Sequence, residues 1–155
     1  MKRSQVGLFV LLLVTISSAA SQADRKHVVL KPSAARDTFP FSDAVLVGNT
    51  LYVAGTTGFE VTTGKPPASA EEEARLAMEN FKQVVESQGM MMDDVVSVQV
   101  FCTDLGLYDT FNKVYRTYFH GGFPARAFIG AASLIRGARF EITGIAVKGS
   151  RHHEG

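Results

Sequence analysis

The chain has 155 residues, 46% hydrophobic and 20% charged, a balance that excludes a disordered protein and fits one folded domain. A formal charge of +1, with no Lys/Arg stripe interleaved with aromatics, argues against binding nucleic acid or an anionic membrane surface. Cys102 is the only cysteine, which excludes an intramolecular disulfide, so stability has to come from burial.

Residues 1–23 place Lys2 and Arg3 before an apolar run, Val6 to Ile16, that ends in small and polar residues. That layout predicts a secretory signal peptide, cleaved after Ala23 or, as second choice, after Ala20, and so a secreted or periplasmic product. A permanent membrane anchor is the alternative, but the run falls short of the roughly 20 apolar residues that span a bilayer core. Cleavage removes two of the 16 basic residues against 15 acidic ones and turns the net charge from +1 to −1. The folded domain is then expected over residues 24–148, with a frayed tail at 149–155.

Val28-Val29-Leu30 reads as an edge strand followed by an irregular loop with Pro32 and Pro40. Ala44–Val47 and Leu51–Ala54 are β-prone runs around Gly48-Asn49-Thr50, a spacer of hairpin length. Thr56 to Pro67 is polar and rich in Gly and Pro, and reads as a loop. Ser69 with Glu72 forms a capping-box pattern that starts a helix. Its apolar face is Ala74, Ala77, Met78, Phe81, Val84 and Val85, and Gly89 offers a left-handed stop.

From Asp94 to Thr103 the period changes to two, which predicts a strand. A second helix is expected from Leu107 to Phe119, with Phe111, Val114, Tyr115 and Tyr118 on one face and Gly121-Gly122 ending it. Two strands follow, Ala127–Ala132 and Phe140–Val147, joined by Leu134–Gly137. The order predicts an α+β fold in which two helices cover one face of a single mixed sheet. Strands such as Val95-Val96 and Val100-Phe101 are apolar on both parities, so the opposite face is expected to be buried against other subunits.

His27, His120, His152 and His153 show no ligand spacing, and neither a phosphate-binding glycine loop nor a nucleophile elbow is present, so no metal and no cofactor are predicted. Cys102 alternates with valines and reads as a small buried hydrophobe rather than a reactive thiol. Arg126 follows Phe123-Pro124-Ala125 at the mouth of an apolar strand, where its paired donors could fork a carboxylate; the alternative is an ordinary surface ion pair. Glu141, between Phe140 and Ile142, either faces solvent or enters a pocket as a base for water.

The ordered segments PFSDAVLVGNTLYVAG, MENFKQVVESQG, DDVVSVQVFCTDL, FNKVY, FPAR and FEITGIAV, spread over about residues 38 to 148, resemble the successive signatures of the RidA/YjgF family. The resemblance implies a chorismate-mutase-like α+β fold, a homotrimer with a pocket at each subunit interface, and hydrolysis of reactive enamines or imines such as 2-aminoacrylate to a keto acid and ammonia. It implies catalytic roles for Arg126, on the substrate carboxylate, and for Glu141, on water. It also implies Asn112 as a binding residue and Phe41, Ala54, Gly55 and Phe128 as pocket positions. Phe41 stands where active members usually have tyrosine, Ala54 where they have serine, and Ala127-Phe128 where serine and a smaller or sulfur-bearing residue follow the arginine. Each change deletes a polar atom. The rival function is therefore a non-catalytic small-carboxylate binding or chaperone-like protein; ribonuclease action, attributed to some members, ranks third for want of a basic stripe.

Overall fold

The structure, a computed structural model, describes residues 24–31 and 38–150. The signal peptide read at residues 1–23, and residues 151–155 of the tail, lie outside the described residues. Gly149 and Ser150 are tied down: the Gly149 N–H donates to Asp94 Oδ1 at 3.0 Å and the Ser150 hydroxyl to the Asp94 carbonyl at 3.2 Å.

Six strands form one mixed sheet: β1 Arg25–Val28, β2 Ala44–Val47, β3 Thr50–Thr57, β4 Val95–Cys102, β5 Ala125–Gly130 and β6 Phe140–Val147. Their order across the sheet is β1-β2-β3-β6-β4-β5, antiparallel throughout except for the β4–β5 pair. Two helices, α1 Ala70–Glu86 and α2 Tyr108–Tyr115, pack together, and α1 lies on β3 and β6. This is the α+β sheet with two helices expected from the sequence.

The hairpin turn sits at Gly48-Asn49, with Val47 opposite Thr50. Ser69 caps α1 by accepting from the Glu72 N–H at 3.3 Å, but the return half of the capping box is replaced, because the Glu72 carboxylate binds Arg75 instead. Gly89, at φ +67°, supplies the expected left-handed stop. Several boundaries differ from expectation: β3 continues to Thr57, into the segment expected to be a loop, because Thr56 and Thr57 pair with Ile142 and Glu141 of β6, and β1 and β5 end two residues early, at Val28 and Gly130. β1 begins three residues earlier, at Arg25, and β5 two residues earlier, at Ala125, because both are held by neighbouring strands. The second helix is α-helical only over Tyr108–Tyr115 and tightens into 3₁₀ turns at Leu105–Leu107 and Arg116–Tyr118.

The core lies between the helices and one sheet face. Leu51, Val53, Val98, Val100, Phe140, Ile142 and Ala146 meet Met78, Phe81 and Phe111, all buried. Each large apolar side chain so buried contributes about 1.5–3 kcal/mol. Gly144 lets α1 approach this closely, since a Cβ there would stand 2.9 Å from Phe81 Cζ and 2.6 Å from the Ser97 carbonyl oxygen. Cys102 is buried as expected; its thiol donates to the Asp104 carbonyl, and burial pushes it further up in pKa. The other sheet face carries no helix and leaves Tyr52 half exposed, with Val96 and Ile129 also exposed.

Candidate functional site

Arg126 and Glu141, the two residues to which the resemblance gives catalytic roles, lie on opposite faces of the sheet. In the parallel β4–β5 register Arg126 stands opposite Val98 and Phe128 opposite Val100, both buried valines, so Arg126 and Phe128 turn toward the helices. Glu141 alternates with buried Phe140 and Ile142 and is opposite Phe101 and Thr57, so it turns toward the open face. Within one chain Arg126 and Glu141 therefore do not share a pocket.

Arg126 is held among aromatic rings. Its Cζ lies 4.5 Å from the Tyr115 ring centroid and 5.7 Å from those of Tyr108 and Phe128, and its Nη2 approaches the Tyr108 hydroxyl at 3.5 Å. Cation–π contacts fix the guanidinium without neutralising it, each worth about 0.5–2 kcal/mol according to exposure. The cage is itself braced: the Phe128 ring meets Tyr108 and Phe111 edge-on at 5.0 and 5.6 Å. Arg126 lines a cavity of about 200 Å³ with Asn112, Tyr115, Arg116, Phe123 and Pro124. Asn112 and Arg126 are thus brought together as expected, while Phe128 supports the arginine from the side. The Tyr115 hydroxyl is buried and has no hydrogen-bond partner among the described residues; desolvation pushes its pKa up to about 12, against the opposing pull of the Arg126 charge.

Phe41, Ala54 and Gly55 line a second cavity, of about 560 Å³, together with Phe39, Phe59 and Ile135. Phe39 and Phe41 stack at 5.5 Å and make one wall apolar, while Lys31, Asp43, Asn80, Gln83 and Arg136 also line the space. β3 has a bulge between Val53 and Thr56, and at Gly55 the backbone meets the Glu141 carboxylate. A Cβ on Gly55 would stand 1.9 Å from Glu141 Oε1, so glycine is required there for Glu141 to keep its place.

Sequence reasoning missed Tyr108, Arg116 and the fully buried Glu73. Tyr108 and Arg116 are each four residues from Asn112 along the second helical segment, one helical turn to either side, and that spacing was the available signal. Glu73 accepts from the Arg139 N–H at 2.6 Å, from Arg139 Nε at 2.5 Å and from the Phe140 N–H at 3.2 Å, anchoring the start of β6 two residues before Glu141. Arg139 also donates to the carbonyls of Pro67 and Ala68. No sequence signal pairs residues so far apart. Among the described residues no three His, Cys, Asp or Glu side chains are grouped as a metal site requires.

The family model described as Endoribonuclease L-PSP matches residues 32–148. The chain belongs to that family, the RidA/YjgF group. Among similar proteins, the 2-iminobutanoate/2-iminopropanoate deaminase of Mus musculus is 39% identical over 111 residues, covering 71% of this chain and 82% of the relative. The protein of the same name from Dermatophagoides farinae is 38% identical over 123 residues, covering 79% and 96%. The crystal structure of E. coli TdcF with bound serine matches with a TM-score of 0.72 at 30% identity, over 80% of this chain and all of that one. This RidA/YjgF member therefore shares fold and family with proteins named as imine deaminases.

Proposed function

We propose that the protein is a hydrolase of 2-imino acids and their enamine forms, 2-aminoacrylate among them, releasing ammonia and the 2-oxo acid. The observation that carries this is Arg126: a guanidinium held by three rings, with no carboxylate partner among the described residues, facing a pocket lined by Asn112. Such a fork suits the carboxylate of a small 2-imino acid. An enamine first tautomerises to the imine; water then adds to the C=N carbon while Glu141 takes its proton and passes it to the nitrogen. The carbinolamine hydroxyl proton moves through the same carboxylate to the amino group as the C–N bond breaks, releasing ammonia and leaving the 2-oxo acid. Proton transfer of this kind contributes about 10²–10⁴-fold.

The opposite facing of Arg126 and Glu141 is resolved by self-association as a homotrimer, in which Glu141 of one copy meets Arg126 of the next across the open sheet face. The leader makes the mature product secreted or periplasmic, and an intact mass beginning after Ala23 or Ala20 tests that.

The activity test follows the decay of freshly generated 2-aminoacrylate and 2-iminobutanoate with purified wild-type protein, Arg126→Ala and no protein. Faster decay that falls by at least about 10²-fold in Arg126→Ala supports the hydrolase. Decay no faster than the blank refutes it. Phe41 and Ala54, whose side chains can form no substrate hydrogen bond, favour a second function: a small-carboxylate binding protein that captures the 2-oxo acid without turnover. Saturable, Arg126-dependent binding with unaltered imine decay would select it.

A further inference from the structure

The Arg126 pocket has more positive charge than one carboxylate needs. Arg116, at the end of α2, lines the same cavity, and its Cζ rests 5.5 Å from the Phe123 ring centroid. The described ion pairs engage Arg75, Lys82, Lys113 and Arg139; neither Arg116 nor Arg126 enters one. No acidic side chain lines the cavity. The remaining polar groups are the Asn112 amide and the orphan hydroxyl of Tyr115 beneath the Arg126 guanidinium. Two guanidiniums parked on aromatic faces, beside an unused buried donor, describe a site with donors in surplus. Like charges sharing a small cavity repel, and a bound anion is what relieves them.

We propose that this pocket takes an acid with two carboxylates, Arg126 holding the one next to the imine or keto carbon and Arg116 the distal one, so that the protein favours 2-imino and 2-oxo dicarboxylic acids over monocarboxylic ones. The proposal rests on Arg126 as the substrate-carboxylate fork. Its new element is Arg116 as the specificity-determining residue. Arg116 is exposed at the pocket rim and its side chain makes no hydrogen bond among the described residues, so it can swing to ligands of differing length and can be replaced without disturbing the core.

Isothermal titration with 2-oxoglutarate and 2-oxobutanoate tests this on wild type, Arg116→Gln, Arg116→Glu and Arg126→Ala. In wild type the dicarboxylate should bind about 10- to 100-fold more tightly, the range of one added charge-assisted hydrogen-bonded pair. Arg116→Gln should bring the ratio of the two affinities close to one, and Arg116→Glu should push it below one. Arg126→Ala should weaken both ligands. Equal affinities in wild type, or a ratio that survives Arg116→Gln, overturns the dicarboxylate preference; loss of both ligands in Arg126→Ala then still leaves the carboxylate fork standing. If neither acid binds wild type, or if binding ignores Arg126→Ala, the fork falls and this proposal falls with it.

Discussion

Replacing Arg139 with methionine strands a carboxylate that has no access to water. Glu73 is fully buried, and after the change it retains only the Arg139 and Phe140 amides, at 2.6 and 3.2 Å, having lost the Nε donor at 2.5 Å. Removing one partner of a buried pair costs about 3–5 kcal/mol, because the remaining charge is uncompensated. The Arg139 side chain is 28% exposed, so water can partly fill the vacated position, which puts the expected loss at the lower end, about 3 kcal/mol. That is a large share of the roughly 5–15 kcal/mol that holds a domain folded. In urea, with a slope of about 1–3 kcal/mol per molar, the midpoint should fall by about 1–3 M. Adding Glu73→Gln should restore part of the loss, since the stranded group is then neutral and cheaper to bury. A midpoint shift below about 0.5 M at unchanged slope, or a double variant less stable than Arg139→Met alone, would refute the stranded charge as the cause.

Gly55→Ala places a Cβ 1.9 Å from Glu141 Oε1, so the carboxylate must move; imine hydrolysis should drop about 10²-fold with the urea midpoint little changed, and a wild-type rate would remove Glu141 from the water-activating role. For Tyr115, the folded pKa of about 12 stands above the ordinary 10.0, so its contribution to stability is full below about pH 10 and is lost as pH rises toward 12. Tyr115→Phe should therefore be at least as stable as wild type at neutral pH and lack about 2–3 kcal/mol of the alkaline decline, read from urea unfolding at pH 9 and about 12; parallel curves would contradict the buried phenol. Ile129→Asp puts a charge on the open sheet face, so sedimentation velocity should shift from the assembled species toward monomer, and an unmoved distribution would exclude that face from self-association.

The sequence carries its elements openly because each is written in a local period: Val98 and Val100 before Cys102 alternate as a strand must, and Ala74 to Val85 repeat at helical spacing, although a register shift between Val95 and Ser97 buries Val95 and leaves Val96, read on the same face as Val98, exposed. Hairpin, caps and the glycine stop are equally local, and they appear where expected or within a few residues. What stays hidden depends on which strand lies beside which. Arg126 and Glu141 each sit in a short apolar strand with a plausible site role, and nothing in either segment tells which sheet face it serves. The answer comes from the crossover that sets β5 parallel to β4, opposing Arg126 to Val98, while β6 enters between β3 and β4 and opposes Glu141 to Phe101. The Glu73–Arg139 pair, bridging α1 and the start of β6, is hidden for the same reason. The family resemblance names the residues but cannot place them in one pocket of one chain. The structure separates them: within one copy the Arg126 guanidinium turns toward the helices and the Glu141 carboxylate toward the uncovered face, so the proposed hydrolysis, which uses both, requires a second copy, and the self-association test above bears on the chemistry as directly as on assembly.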